Sequence, residues 1–164
     1  LVKNLNLNNE MVVADIGAGT GYYTSRMAKL SKLVYAVEIQ QEMLIMNKKN
    51  MLKNGIENVE YVLCNAKDPK LPLNSVDLAI FVDVYHELEY PFEVITNLKK
   101  YLKPNGVIVL VEFRMEDKSL NIKKLHKMSK KQIIKELKYV GFTLDKTFNT
   151  LPIQHMLFFK KNEA

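Results

Sequence analysis

Residues 12–21 read Val-Val-Ala-Asp-Ile-Gly-Ala-Gly-Thr-Gly, an apolar run that leads directly into three glycines spaced two residues apart. The run predicts a buried β-strand over Val12–Ile16, and Tyr23, Met27 and Leu30 then share one face of a predicted helix. Glycine tolerates positive φ and lets the backbone approach a ligand closely, while the helix N-terminus offers free N–H groups. We therefore predict that the polar end of a ligand binds at this turn.

A second apolar run, Leu33–Glu38, predicts the next strand, and this strand ends in the carboxylate of Glu38. A carboxylate at this place accepts two hydrogen bonds from a ribose diol. The turn reads G-x-G-x-G, with Tyr22 where the nicotinamide fingerprint G-x-G-x-x-G has its third glycine. The pattern therefore indicates a nucleoside ligand and disfavours a nicotinamide dinucleotide.

Short β-branched runs alternate with helical patterns along most of the chain, and their consecutive apolar positions are typical of a sheet covered on both faces. The strands predicted in this way are Val12–Ile16, Leu33–Glu38, Val59–Leu63, Val76–Val82 and Val107–Glu112. The later helical patterns are Gln41–Lys53 and the face formed by Pro91, Ile95, Leu98 and Leu102. Such alternation predicts a parallel sheet with helices on both faces.

The C-terminal part departs from this alternation. Ser129 predicts the start of another helix, with Gln132 at capping-box spacing and Gly141 as its stop. Two strand-like runs follow, Phe142–Phe148 and His155–Lys160. Their connection is too short for a crossover helix, so the last strand must be antiparallel to its predecessor. A chain of 164 residues fits one domain, which we expect to span residues 1–164.

Together these motifs resemble those of the class I S-adenosylmethionine-dependent methyltransferases. The resemblance covers nearly the whole chain and is carried by Val13–Gly21, Val37–Glu38, Asn65–Ala66, Asn74–Leu78, Val82–Glu87 and Leu102–Gly106. It implies an α/β, Rossmann-like fold with a seven-stranded, mostly parallel sheet and an antiparallel last strand. It also implies S-adenosyl-L-methionine as cofactor, S-adenosyl-L-homocysteine as product, and a cofactor site at Asp15, Gly17, Ala18, Gly19, Tyr22, Glu38, Ile39, Asn65, Ala66 and Asp83.

Ligands of open α/β sheets bind outside the carboxyl ends of the strands, and the predicted topology brings three histidines to that edge. Histidine is the natural base for a hydroxyl or thiol acceptor, and three further charged residues, Glu112, Arg114 and Glu116, leave the fifth strand at the same edge. We predict that the acceptor is positioned or deprotonated by His86, His126, His155, Glu112 and Arg114. Each histidine also has a structural interpretation, as a hydrogen-bonded residue without a catalytic role.

A metal site that combines the histidines with Glu112 or Glu87 is chemically possible. The chain nevertheless lacks local ligand spacing such as H-x-x-x-H, so we predict no metal. Cys64 is the one cysteine, which excludes an internal disulfide and a multi-cysteine metal site within the chain.

The net charge is +6 at pH 7, yet of the 24 basic residues just Arg26 and Arg114 are arginine, the residue best suited to bidentate phosphate contacts. The lysines between Lys123 and Lys138 favour a solvated helix face over a phosphate-binding surface, and we expect no nucleic-acid partner. No run approaches the roughly 20 apolar residues of a membrane span, and a leader pattern is missing. A cytoplasmic location is therefore expected.

The expected reaction is in-line transfer of a methyl group from the sulfonium to a small-molecule acceptor, for which positioning matters most. Two alternatives stay open: methylation of RNA or protein, and a non-catalytic module that binds the cofactor. Against adenine or glutamine nitrogen as target, Val82–Tyr85 replaces the Asn-Pro-Pro-aromatic run of those branches. The chain begins at Leu1, and we expect the family's N-terminal helical cap to be absent or shortened. The pocket would then be open on that side, and a homodimer could close it.

Overall fold

The computed structural model describes residues 1–163, and the elements below are those of that part of the chain. The strands are β1 (Val12–Ile16), β2 (Leu33–Glu38), β3 (Val59–Leu63), β4 (Val76–Val82), β5 (Leu102–Arg114), β6 (Lys127–Met128), β7 (Phe142–Phe148) and β8 (Gln154–Lys161). The α-helices are α1 (Tyr22–Ala28), α2 (Gln41–Lys53), α3 (Pro91–Tyr101) and α4 (Lys130–Tyr139), and short 3₁₀ helices lie at Val2–Leu5, Tyr85–Glu87 and Lys124–His126.

Seven strands form one sheet in the order β3-β2-β1-β4-β5-β8-β7. The first five in the chain pair in parallel, and β8 is antiparallel to both β5 and β7. The predicted Rossmann-like sheet with an antiparallel last strand is therefore confirmed. The two-residue β6 pairs with the end of β5 and makes an eighth strand. This strand was not predicted, because two residues show no period.

Helices cover both faces of the sheet. α1 and α2 pack on one face, where Met27 and Met51 are buried, and α3 and α4 pack on the other, where Leu98 and Ile133 are buried. Burying a side chain of this size stabilises the fold by about 1.5–3 kcal/mol. With both faces covered, the edge at the carboxyl ends of the parallel strands is left to the connecting loops, where a ligand can enter.

The structure corrects several boundaries of the predicted elements. β5 ends at Arg114 and not at Glu112, and β8 spans Gln154–Lys161 and not His155–Lys160. α1 ends at Ala28, and Leu30, predicted on its buried face, is 45% exposed because the chain turns there toward β2. β5 begins at Leu102 and not at Val107, since Leu102 pairs with Val76 of β4. Residues 103–106 bulge out between this pair and the next one, so they form an irregularity within a longer strand.

The predicted start of α4 is confirmed, because Ser129 Oγ accepts a hydrogen bond of 3.1 Å from the backbone N–H of Gln132. The side chain of Gln132 does not return this contact and donates instead to Glu136 Oε1. Lys131 and Lys135 are exposed on the opposite side from the buried Ile133, as a solvated face requires. No helix within residues 1–163 has the length and apolar character needed to cross a bilayer.

Candidate active site

A cavity of about 390 Å³ opens at the carboxyl ends of β1 and β2. It lies between the turn after β1, the residues that follow β2 and β3, and the 3₁₀ turn after β4. The residues predicted for the cofactor that line it are Gly17, Gly19, Glu38, Ile39, Asn65 and Ala66. The structure therefore brings together segments that lie far apart in the chain.

The glycine turn, residues 17–21, is held to β2 by its backbone. The N–H groups of Gly17 and Ala18 donate to the carbonyl of Val37 at 2.8 and 3.1 Å. A Cβ on Gly17, which has φ of 74°, would lie 2.7 Å from Val84 Cγ2, whereas a Cβ on Gly19 would meet nothing within 4 Å. Gly17 is thus required by packing, and Gly19 leaves open space on the cavity side.

Glu38 is 9% exposed and its carboxylate gathers three backbone N–H groups. Oε2 accepts from Gly19 N at 3.0 Å, and Oε1 accepts from Ile39 N at 2.8 Å and from Gln40 N at 3.2 Å. These charge-assisted bonds fix the carboxylate against the glycine turn. The side chain predicted for the ribose therefore lies in the wall of the cavity, oriented by the backbone of the turn.

A buried polar chain supports the turn from below. Thr24 Oγ1 donates to Asp15 Oδ2 at 2.7 Å, and Asn47 Nδ2 donates to Gly19 O at 3.2 Å and lies 3.3 Å from Thr24 Oγ1. Burial raises the pKa of Asp15 to about 6, an effect that the Thr24 hydrogen bond opposes and the charge of Glu38 reinforces. Asp15 thus acts on the cavity through the turn that it supports and does not line the cavity itself.

The loop after β3 forms the far side of the cavity. Asn65 Oδ1 accepts from the backbone N–H groups of Lys67 and Asp68, both at 2.9 Å, and Cys64 N donates to Glu38 O. Burial, followed by the charge of Glu38, raises the pKa of the Cys64 thiol to about 11. The thiol is therefore protonated at neutral pH and lacks the reactivity of a thiolate.

Besides Asp15, three residues predicted for the cofactor do not line the cavity: Ala18, Tyr22 and Asp83. Tyr22 is 61% exposed at the start of α1, with the Arg26 guanidinium 3.7 Å from its ring centroid. Asp83 follows β4 with φ of 55°, and its Oδ2 accepts from Gln154 Nε2 at 2.7 Å. Within residues 1–163, Asp83 Oδ1 is buried without a hydrogen-bond partner. Burial raises the pKa of this carboxyl, so a cationic group beside it would be favourable.

Three predicted residues from different elements meet at the same edge, and we call His86, Glu112 and His126 the histidine cluster. His86 Nδ1 lies 2.7 Å from Glu112 Oε2, and the His86 backbone N–H donates to Glu112 Oε1 at 3.2 Å. His86 Nε2 lies 3.3 Å from His126 Nδ1. Burial raises the pKa of the fully buried Glu112, and its contacts with His86 partly offset that rise.

The other two residues predicted near the acceptor have separate partners. His155 opposes Glu112 across β5 and β8, but its Nε2 contacts Glu116 Oε2 at 2.8 Å. Arg114 donates to the carbonyls of Leu151 and Pro152 at 2.7 and 3.1 Å, which anchors the turn between β7 and β8. The structure thus groups two of the three histidines and gives Arg114 a structural contact.

A family model described as a methyltransferase domain matches residues 7–153. The chain belongs to this methyltransferase-domain family. A relative from Methanocaldococcus jannaschii, named probable cobalt-precorrin-6B C(15)-methyltransferase (decarboxylating), is 31% identical over 111 residues, which cover 66% of this chain and 58% of that protein. The methyltransferase domain spans less than two thirds of the length of the curated relatives matched first.

Solved structures confirm the fold of the methyltransferase domain. A SAM-dependent methyltransferase from Aquifex aeolicus superposes with a TM-score of 0.89 at 23% identity, covering 96% of this chain and 86% of that one. The 1,6-didemethyltoxoflavin-N1-methyltransferase of Burkholderia thailandensis, solved with S-adenosylhomocysteine, gives a TM-score of 0.77 at 18% identity and covers 99% and 75%. At these identities the likeness concerns the arrangement of strands and helices.

Asn47 was not predicted for the site of the methyltransferase domain, and Glu116 was predicted at the same edge without a role. Asn47 is fully buried on α2, and its spacing from Leu44 and Met51 places the three residues on one face of the helix. The sequence signal that could have predicted Asn47 was therefore an amide on an otherwise apolar helix face. The sequence signal for Glu116 was its position just beyond the end of β5. Its contact with His155 depends on the antiparallel pairing of β8, which brings the two segments together.

Proposed function

We propose that this chain transfers a methyl group from S-adenosylmethionine to a small-molecule acceptor. The observation that carries the proposal is that Gly19 and Glu38 line the same cavity, where the Gly19 N–H donates a hydrogen bond to Glu38 Oε2. An open glycine beside a buried acidic strand end suits a nucleoside whose polar tail lies along the turn. Membership of the methyltransferase-domain family supports the sulfonium nucleoside over others.

In this proposal the methionyl tail follows the glycine turn, the ribose contacts Glu38, and the adenine lies among Ile39, Asn65 and Ala66. A carboxylate has about four acceptor positions, of which three already serve backbone N–H groups of the turn and the strand end. One ribose hydroxyl then bonds Glu38 directly, and the second requires release of Gly19 N–H.

The acceptor faces the histidine cluster. When Glu112 is ionised it accepts the His86 Nδ1–H bond, so His86 Nε2 keeps its lone pair. The acceptor's nucleophilic atom attacks the methyl carbon, the carbon–sulfur bond breaks, and its electron pair stays on sulfur to give S-adenosylhomocysteine. The imidazole takes the acceptor's proton, a contribution of about 10²–10⁴-fold in rate. The small-molecule class is supported by the M. jannaschii relative, which is named for a corrin precursor.

Calorimetric titration with S-adenosylmethionine, S-adenosylhomocysteine and NAD tests the cofactor. We expect saturable binding of the first two and none of NAD. Glu38→Gln should weaken binding at least about tenfold, because an amide places donors against the N–H groups of the turn. Glu60→Gln, an exposed change on β3, is the matched control and should leave the Kd unchanged. Absence of binding to the unaltered protein would contradict the proposal.

The acceptor class is tested by incubating the protein with methyl-labelled cofactor and a cell extract separated into small molecules, RNA and protein. Label in the small-molecule fraction supports the proposal. Label in the RNA or protein fraction replaces the proposed acceptor class with a macromolecule. Cofactor binding without label in any fraction would identify a binding module and overturn the catalytic assignment.

A further inference from the structure

The histidine cluster adjoins an exposed carboxylate that the proposed reaction leaves unused. Glu87 follows His86 in the 3₁₀ turn after β4, its side chain is 62% exposed, and its Oε1 lies 3.7 Å from His86 Nε2. His126 Nδ1 approaches the same His86 nitrogen at 3.3 Å. One ligand atom from each of these three residues lies within 4.8 Å of the other two.

We propose that His86 Nε2, His126 Nδ1 and a Glu87 carboxylate oxygen form a binding site for a divalent metal ion of the zinc type. Zinc bonds to imidazole nitrogen are about 2.0–2.1 Å long, and a tetrahedral angle therefore separates two ligand nitrogens by about 3.3–3.4 Å. The observed separation of 3.3 Å agrees with that value. Imidazole is a borderline ligand and carboxylate a hard one, and zinc accepts both.

Glu112 supplies the support that a metal-binding imidazole needs. A metal-ligating histidine usually donates its second ring N–H to a carboxylate, which fixes the tautomer and the orientation of the ring. Glu112 is fully buried and lies 2.7 Å from His86 Nδ1, so the Nε2 lone pair is directed away from Glu112. Glu112 is accordingly a positioning residue, and with Glu87 it balances the two positive charges of the ion.

The surrounding charges are compatible with a cation. Lys127 follows His126 in the chain, but its ammonium group donates to the carbonyls of Asp117 and Leu120 at 3.2 and 2.8 Å. The third histidine, His155, belongs to a separate pair with Glu116 and contributes no atom to the group. His155 is therefore an internal control: it is the same residue type at the same edge, paired with a carboxylate, yet outside the proposed site.

Three protein ligands leave one position of a tetrahedral ion for an outside ligand. Glu87 also lines the cavity, so the site adjoins the space assigned to the cofactor. With the ion bound, His86 Nε2 is a ligand and no longer serves as the base. An acceptor thiol or hydroxyl bound to the ion would instead lose its proton to solvent and then carry the electron pair that attacks the methyl carbon. This role of the ion rests on the proposed function, whereas metal binding by the three residues does not.

The test uses the full chain, freed of metal with a chelator and titrated with Co²⁺ and with Zn²⁺ in competition with a chromogenic chelator. We expect one ion per chain and the intense visible absorption of four-coordinate Co²⁺. His126→Ala and Glu87→Gln should each weaken binding, the former more than about 100-fold, and Glu112→Gln should weaken it about 10–100-fold. His155→Ala should leave the affinity unchanged.

Circular dichroism reports whether each variant is folded, and calorimetry with S-adenosylmethionine on the same variants separates this proposal from the proposed function. Metal binding without cofactor binding would sustain the metal site and contradict the methyltransferase assignment, and the reverse result would do the opposite. The metal site is overturned if the unaltered protein shows no saturable uptake. It is also overturned if His155→Ala weakens binding as much as His126→Ala does, since the imidazole pair would then be a hydrogen-bonded contact alone.

Discussion

The glycine turn and the histidine cluster both lie at the carboxyl ends of strands, but they are assembled from different groups. The turn consists of consecutive residues, and backbone N–H groups make its main contacts, to Val37 and Glu38. The histidine cluster consists of side chains from three segments, after β4, at the end of β5 and before β6. Backbone geometry restricts the residue types that a turn tolerates, whereas side chains that meet across the fold leave no local pattern.

The largest effect that would sharpen this comparison is expected at His86. His86→Ala should lower turnover about 10²–10⁴-fold, because it removes the imidazole that takes a proton or binds an ion, and should leave the cofactor Kd within about twofold. His155→Ala should have a smaller effect on turnover, since its Nε2 contacts Glu116 and no hydrogen bond within residues 1–163 joins its ring to the histidine cluster. Steady-state rates and calorimetry measure the two quantities. Equal rates for both variants and the unaltered protein would remove the cluster from the mechanism.

Substitutions in the glycine turn should change cofactor affinity, in contrast to His86→Ala, which should change turnover. Gly19→Arg fills the open space of the cavity and should weaken S-adenosylmethionine binding at least about 100-fold, or about 3 kcal/mol. Gly55→Arg is the matched control, because Gly55 also has positive φ and open space around it but lies outside the cavity. Comparable Kd values for the two variants would show that the open space at Gly19 does not hold the ligand.

Asp15 links the turn to the stability of the fold. Its folded-state pKa of about 6 lies above the ordinary value of 3.8, so the protonated carboxyl is favoured in the folded chain. The contribution of Asp15 to the free energy of unfolding is therefore fully present below pH 4 and is lost as the pH rises through 6. Asparagine does not ionise, so Asp15→Asn avoids this loss of stability at high pH. The change in the free energy of unfolding caused by the substitution should be more favourable at pH 8 than at pH 4, by up to about 3 kcal/mol. Urea unfolding at both pH values measures the difference, with Asp145→Asn, which pairs with Lys160 on β8, as control. A pH-independent effect would contradict the burial argument.

The smallest expected effect concerns a purely local motif. Ser129→Ala removes the hydrogen bond to Gln132 N and should lower the free energy of unfolding by about 1 kcal/mol without changing the cofactor Kd. Ser25→Ala, which removes a bond to Tyr22 O inside α1, should cost less than about 0.5 kcal/mol. Chemical denaturation of the two variants decides between capping and a general loss of serine contacts.

Most of the fold could be predicted because each strand of the parallel sheet is buried on both faces and therefore apolar at consecutive positions. β1 to β4 have the predicted bounds, and the antiparallel end followed from the short connection around Pro152. The errors at Leu30 and Leu102 lie at element ends, where an apolar residue fits either the helix face or the neighbouring strand. β6 was missed because pairing with β5 defines it and its own two residues do not.

The cofactor side of the site could be predicted for the residues whose backbone or strand-end position is constrained, such as Gly17, Gly19 and Glu38. Tyr22 was placed in the site by the family resemblance, but the first turn of α1 directs it toward Arg26 and solvent. Asn47 escaped prediction because its role depends on α2 packing over Gly19 and Thr24. Helix packing of this kind is decided by side chains that are remote in sequence.

The sequence by itself determined the order of strands and helices, the turn that approaches a ligand, and the acidic end of β2. Each of these depends on the chemistry of neighbouring residues along the chain. The tertiary structure alone decided that His86 meets Glu112 and His126 while His155 meets Glu116. Those partners are separated by tens of residues, and distances of about 3 Å between them arise from sheet register and loop packing, which no local pattern encodes.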